Sequence, residues 1–202
     1  GIDTQLFHPN KRSDVMRQSW HVKPETMVLL SVGRLAAEKN LDLTIQTYQA
    51  LKAAGRDVKM VFAGDGPMRG VIEARCPDAL FVGMCTHTQL ATLYASADLL
   101  LFPSLTETFG NVTLEALASG TPVLAFDCAA ASELVQNALN GWLVLGEDPQ
   151  TYVLKALEIT KSRDALKTAR EHTLLSVKDL DWTQIASHVE SIFRMTIASH
   201  VA

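Results

Sequence analysis

The chain has 202 residues, 18 of them Lys or Arg against 22 Asp or Glu, for a formal charge of −4. A protein that lives on phosphate-backbone contacts carries a basic surplus, so nucleic acid is excluded as the expected partner. Hydrophobic residues at 48% and charged residues at 20% exclude a disordered chain, and no apolar run reaches the ~18 residues of a spanning helix.

The first strand is expected at residues 27–32 (M-V-L-L-S-V), continuously apolar as in strands covered on both faces. Leu41, Ile45 and Tyr48 then recur at i, i+4 and i+7, with Leu51 following and Gly55 as a helix stop. Strands follow at 58–63 and 80–82. Thr86 and Gln89 have capping-box spacing ahead of Leu90, Leu93 and Tyr94. A fourth strand at 99–102 leads to a short helix at 111–119, closed by Gly120 and Pro122. The last strands are expected at 122–125 and 142–145. From Pro149 strand signals cease. Residues 151–170 give one or two helices, and 182–200 a final one with Ile185, Val189, Ile192 and Phe193 on one face and Asp181 as its N-cap. The βαβα order predicts an α/β fold, a doubly wound, Rossmann-like parallel sheet that binds ligands at the carboxyl ends of its strands. Cys76, Cys85 and Cys128 form no CxxC pair and leave an odd count. Reduced thiols and a cytoplasmic setting are expected.

Three segments carry chemistry. The first strand runs into Gly33-Arg34-Leu35-Ala36-Ala37-Glu38-Lys39-Asn40, where Gly33 allows a turn and Arg34 and Lys39 project two cations suited to a diphosphate. By itself this segment reads more readily as two solvated surface cations. Gly64-Asp65-Gly66-Pro67 is a second tight turn at the same edge, generic when taken alone. The segment from Phe102 to Leu117 places Glu107 in a loop and Glu115 one turn inside the next helix, with Gly110 at the helix entrance, where bare N–H groups attract an anion. Glu115 lies among Val112, Leu114, Ala116, Leu117 and Ala118 and must find donors there. Vicinal ribose hydroxyls would supply them. A glutamate favoured by the helix dipole would explain Glu115 without Glu107, but neither the loop nor the spacing.

Glu107-x7-Glu115, with G-R-L-x-x-E-K-N and G-D-G-P upstream, F-V-G between and A-S-G-T-P-V downstream, resembles the C-terminal nucleotide-sugar domain of the family 4 (group 1) retaining glycosyltransferases of GT-B fold. The motifs are loose one by one and specific together. The resemblance implies roles residue by residue. Arg34 and Lys39 match the pair that grips the donor diphosphate, Glu115 the glutamate that holds the ribose, and Glu107 the one that contacts the transferred sugar. Gly33 and Gly64 belong to the strand-end turns. Phe109, Gly110, Asn111 and Val112 match the loop and helix start that meet sugar and phosphates, and Phe81, Val82, Gly83 and Met84 the segment beside the base. The implied catalytic set is Arg34, Lys39 and Glu107.

The opening Gly1-Ile2-Asp3-Thr4-Gln5-Leu6-Phe7-His8-Pro9 is similar to the family's interdomain linker and has no initiator Met. The expected organisation is therefore a linker remnant at 1–9, a nucleotide-sugar domain at 10–180, and a helix at 181–202 that packs on a missing N-terminal domain, which would bind most of the acceptor. The implied activity is transfer of a hexose from a nucleoside diphosphate sugar, such as a UDP- or GDP-hexose, to an acceptor hydroxyl, with no metal or other cofactor. Peripheral membrane contact at the inner face is left open. Where the family often has a Gly-Gly pair, this chain has Asp127-Cys128-Ala129-Ala130-Ala131-Ser132-Glu133, which bears on the loop's backbone angles. Asp179-Leu180-Asp181 is formally a D-x-D metal signature but fits helix capping better, and Cys85-Thr86-His87 has no second ligand pair. The alternatives are a nucleotide-binding module without transferase chemistry, or another GT-B enzyme such as a nucleotide-sugar epimerase. A dinucleotide site would need G-x-G-x-x-G after the first strand, and Gly33 stands there alone.

Overall fold

The structure, a computed structural model, describes residues 1–106 and 110–201, and of residues 198–201 the backbone alone. Six parallel strands lie in the order β3-β2-β1-β4-β5-β6: β1 (Met27–Val32), β2 (Val58–Ala63), β3 (Leu80–Gly83), β4 (Leu99–Phe102), β5 (Val123–Phe126) and β6 (Gly141–Val144). This is the doubly wound order, with its topological switch between β1 and β4. β1 and β2 pair residue for residue from Met27 with Val58 to Val32 with Ala63.

Alternate side chains of each strand enter opposite cores, as the two-residue period requires. Val28, Leu30, Leu100 and Val123 pack on one face against α4 (His87–Ser96), α5 (Asn111–Ala118) and α6 (Ala129–Leu134). Leu29, Met60, Leu101 and Leu124 pack on the other against α2 (Leu41–Ala53), α3 (Arg69–Arg75) and α7 (Pro149–Ile159). α1 (Asp14–Ser19) and α8 (Arg163–Val177) close the amino end, and α9 (Trp182–Val201) follows.

Three strands differ from the expectation by one residue: β3 runs on to Gly83, and β5 and β6 are each shifted by one, their starts for a local reason. Pro122 has no N–H to give, so β5 starts at Val123, while the Pro122 carbonyl still accepts from Leu100 N at 2.9 Å. β6 starts at Gly141 because a Cβ there would stand 2.5 Å from the Val123 carbonyl oxygen, and its neighbour strand could not approach. The short helices α1, α3 and α6 carry too few turns to show a period in the sequence. The expected capping box forms: Gln89 N donates to Thr86 Oγ1 at 3.3 Å and Thr86 N to Gln89 Oε1 at 2.8 Å.

The amino end of the sheet is tied by ions. Arg17, 5% exposed, donates to Asp98 Oδ2 at 2.9 Å, to the Ser96 carbonyl at 2.8 Å and to the Thr26 carbonyl at 2.7 Å. Asp98 in turn accepts from Val28 N at 2.8 Å, joining β4 to β1. The first residues also belong to this body. Ile2 N donates to the Leu180 carbonyl at 2.9 Å and Trp182 N to the Ile2 carbonyl at 3.1 Å. Thr4 Oγ1 donates to Asp181 Oδ2 at 2.7 Å, and Phe7 is buried edge-on to Tyr94 and His87. Asp181 also accepts from Thr183 N at 2.9 Å, so the aspartate expected as an N-cap does cap α9. Along α9, Trp182, Val189, Ile192 and Phe193 are exposed.

Candidate functional site

The carboxyl ends of β1, β2 and β3 are finished by glycines whose backbones nearly touch. Gly33 N donates to the Ala63 carbonyl at 3.0 Å and Gly64 N to the Gly83 carbonyl at 2.8 Å, extending the ladder one step past the strands. Gly64 has φ +131°, and a Cβ on it would stand 2.0 Å from the Gly33 carbonyl oxygen. No other residue fits there. The result is a floor of peptide groups with no side chains standing on it.

Three recesses open along this edge. The first lies between β1 and β4, at the switch point, and is lined by Gly33, Arg34, Lys39 and Pro103. Asn40, at φ +52°, spans it with a bond from Nδ2 to the Pro103 carbonyl at 3.1 Å. The second, about 430 Å³, continues over Gly33, Arg34, Gly64, Asp65, Met84 and Cys85. Arg34 borders both and is exposed, 3.7 Å from Glu38. The third, about 270 Å³, lies beyond the first turn of α4 and is lined by Phe7, His87, Asn111, Leu114, Glu115 and Trp182, with Gly1, Ile2, Asp3 and Leu6 completing the wall.

Glu115 is half-buried in the third recess. The buried Tyr94 hydroxyl donates to its Oε2 at 3.0 Å. Burial pushes the Glu115 carboxyl above its ordinary value, while the Tyr94 bond and the nearby His87 pull it back. Tyr94 is pushed well above the usual tyrosine range, first by burial and then by the Glu115 charge, so it stays a donor. One acceptor oxygen of Glu115 is thus committed inward and the other is left for the recess. Gly110, at φ +90° and ψ +57°, turns the chain into α5 and supplies no side-chain cap of its own, and the helix start carries the positive end of the dipole.

The sequence-predicted residues divide accordingly. Gly33, Arg34, Lys39, Gly64 and Met84 meet in the first two recesses, and Asn111 and Glu115 in the third, with Gly110 and Val112 beside them at the α5 entrance. Phe81 stacks on Phe62 at 5.2 Å and lies under the Arg69 guanidinium; neither it, Val82 nor Gly83 lines a recess, although the Gly83 carbonyl anchors Gly64. Glu107 and Phe109 lie outside the described residues. Sequence reasoning missed Tyr94, Asn40 and Asp65. Tyr94 was legible only as part of an apolar stripe, although a buried tyrosine always implies a partner for its hydroxyl. At the first residue of α6, Ala129 takes φ +47°, a left-handed angle usually left to glycine. Among the described residues no cluster of three or more His, Cys, Asp or Glu side chains could hold a metal ion, and no helix is long and apolar enough to cross a membrane.

The sequence pattern described as glycosyl transferases group 1 matches residues 26–162. The chain belongs to this family. It is 32% identical to a GDP-mannose-dependent alpha-mannosyltransferase of Corynebacterium glutamicum over 97% of its own length and 47% of that relative's. A GDP-mannose-dependent alpha-(1-6)-phosphatidylinositol dimannoside mannosyltransferase of Mycobacterium tuberculosis is 38% identical over 67% of this chain and 36% of its own. The chain thus spans between about a third and a half of these curated relatives. In structure it superposes on sucrose-phosphate synthase from Thermosynechococcus elongatus with a TM-score of 0.81 at 23% identity, covering 98% of this chain and 52% of that one. The sheet is the Rossmann-like parallel sheet found in GT-B glycosyltransferase structures.

Proposed function

We propose that the chain is the donor-binding half of a retaining glycosyltransferase that moves a hexose from a nucleoside diphosphate sugar to an acceptor hydroxyl. The observation that carries this reading is the pairing, along one edge of the sheet, of a bare peptide floor flanked by Arg34 and Lys39 with a carboxylate, Glu115, fixed by a buried tyrosine. The first suits a diphosphate, whose oxygens accept from N–H groups and cations. The second suits a vicinal diol, whose hydroxyls donate to a carboxylate. A nucleoside diphosphate carries both at the spacing of one ribose.

As the bond from the anomeric carbon to the diphosphate oxygen breaks, charge builds on the departing phosphates. Arg34, Lys39 and the amides at the start of α5 offset that charge without a metal. The acceptor hydroxyl attacks from the face the diphosphate is leaving, and its proton passes to a phosphate oxygen. Glu107 holds hydroxyls of the transferred sugar. The acceptor is bound mainly by a further domain, and the enzyme works in the cytoplasm, with contact at the inner face of the membrane if the acceptor is a lipid. Relatives named for GDP-mannose make GDP-mannose the first donor to test.

Calorimetry with GDP and UDP tests the assignment of the two carboxylates. Glu115→Gln should weaken free nucleoside diphosphate by about 1.5–3 kcal/mol, the worth of charge-assisted bonds. Glu107→Gln should leave it unchanged and lower turnover with the sugar donor in the whole enzyme. Equal effects on nucleotide affinity, or none in either variant, would reverse the assignment. Activity lost in EDTA and restored by manganese would remove the metal-free role of Arg34 and Lys39.

A further inference from the structure

A recess of about 300 Å³ opens at the opposite, amino end of the sheet, lined by Arg12, Met27, Asp98, Arg163, Lys167 and Arg170. Arg163, Lys167 and Arg170 recur at i, i+4 and i+7 and so form one stripe of α8, while Leu166, Ala169, Thr173 and Val177 bury another. Arg12 forms the facing wall. Asp164 is the second acid of the lining, so four cations meet two carboxylates in a protein whose net charge is −4.

The balance is more uneven than that count. Asp98 is committed inward, to buried Arg17 at 2.9 Å and to Val28 N at 2.8 Å, and reaches Arg12 only at 3.4 Å. Arg170 donates to the carbonyls of Ala95 and of Ala97, the latter at 2.9 Å, and Arg12 to that of Ala95 at 3.3 Å. These carbonyls end α4 and offer at most about half a negative charge among them. Arg170 is pushed down to about 10, first by burial and next by the Arg12 charge, with Asp98 opposing and Arg17 adding to the repulsion. Nε of Arg12 and of Arg170 takes no part in these bonds, and Arg163 and Lys167 form no ion pair among the described residues. Crowded guanidinium groups with spare donors and too little negative charge are what a tetrahedral oxyanion satisfies.

We propose that this recess binds a small phosphate ester, with Arg12 and Arg170 as the inner donors and Arg163 and Lys167 as outer charges. Its volume is at the low end for ligand sites, enough for a phosphate on glycerol or one sugar and too little for a nucleotide sugar. Its inner acid, Asp98, is tied to Arg17 and to Val28 N, so the recess is assigned binding and no chemistry. The site is separate from the donor edge and does not depend on the reading of that edge.

An amide NMR titration of this chain with glycerol 1-phosphate at low salt tests it. Shifts are expected at 163–170 and 95–98, with saturation; shifts confined to 33–39 and 110–115, or none beyond those from equal sodium chloride, would overturn it. The double substitution Arg163→Gln with Lys167→Gln, on exposed positions outside the α4 tie, should weaken binding at least tenfold. Lys155→Gln with Lys161→Gln removes the same charge elsewhere and should not, and an equal loss in both would reduce the effect to net charge. Flotation with vesicles of phosphatidylglycerol in phosphatidylcholine separates the two sources of such an ester. Capture sensitive to the Arg163/Lys167 pair supports a headgroup as the natural ligand, and binding of glycerol 1-phosphate without capture supports a soluble one.

Discussion

The two ends of the sheet solve opposite problems. At the amino end Arg17 is buried, and its N–H groups are spent on Asp98 and on two carbonyls within the protein. At the carboxyl end the glycine turns spend their inner peptide groups on each other and hold Arg34, Met84 and Asn111 out to solvent. Closed polar networks hold a fold together, whereas groups left pointing outward are available to a ligand. The Arg17 network therefore makes the amino end structural around β1 and β4, apart from the outer recess proposed above, while the carboxyl end is the one proposed to bind the donor, and substitutions should sort by which of the two they strike.

The sharpest test of that division is Arg17→Met. It leaves Asp98 and the Ser96 and Thr26 carbonyls without their donor in a buried setting and should cost about 3–5 kcal/mol of stability in urea unfolding. The folded fraction should bind nucleoside diphosphate as before. A lost ligand affinity at unchanged stability would break the comparison outright.

Gly64→Ala strikes the other end. Its φ of +131° and the approach to Gly33 put the strain at about 1–3 kcal/mol, and here nucleotide affinity should fall together with stability, because the floor itself must shift. If calorimetry shows full affinity, the floor does not contact phosphate.

Tyr94→Phe is the smallest change and the most selective. Losing the hydroxyl removes the bond that holds the Glu115 carboxyl down against burial, so that carboxyl rises further above its unfolded value. A carboxyl raised in the folded state takes up its proton early as pH falls, and its contribution to stability declines as pH rises through the folded value. On the proposed reading nucleotide binding needs the charged form, so the acid limb of the affinity profile should move to higher pH in Tyr94→Phe and vanish in Glu115→Gln. Superimposable profiles for wild type and Tyr94→Phe would show that the hydroxyl serves packing alone.

Much of the binding end was legible in the sequence, because its signals are local. Gly33, Gly64 and Gly110 announce turns wherever they stand, and the apolar runs ending at Val32 and Ala63 mark the strand ends that carry them. The structural end was not legible. Arg17 and Asp98 are 81 residues apart, and Arg170 reaches the Ala97 carbonyl across 73; nothing in the composition around either predicts the pairing, which exists only once the sheet has brought α1, α4 and α8 together. Tyr94 and Glu115 fall between these cases. Glu115 was visible as a residue that needed donors and Tyr94 only as part of an apolar stripe, and 21 positions and a strand separate them. Ala129 shows the limit of motif reading in a different way. The chain departs from the family's glycines there, yet the backbone still adopts the positive φ they would have allowed, at about 1–2 kcal/mol for a residue with a Cβ.

The bridge between Ile2 and the start of α9 also decides how the domain carries load. Tension applied between Gly1 and α9 would run through the two backbone bonds at Ile2 and the Thr4–Asp181 pair, and the sheet would lie outside the line of force. The clasp parts first, and only then does the load pass along the chain into the sheet. Its strength follows acidity as well. The Asp181 carboxyl is held down to about 2, chiefly by the Thr4 hydroxyl, from an ordinary 3.8, so the Thr4–Asp181 part of the clasp is at full strength above the ordinary value and weakens as pH falls through the lower one, while the backbone bonds at Ile2 do not titrate. Because Gly1, Ile2 and Trp182 also wall the recess that holds Glu115, parting the clasp also opens the wall beside that carboxylate.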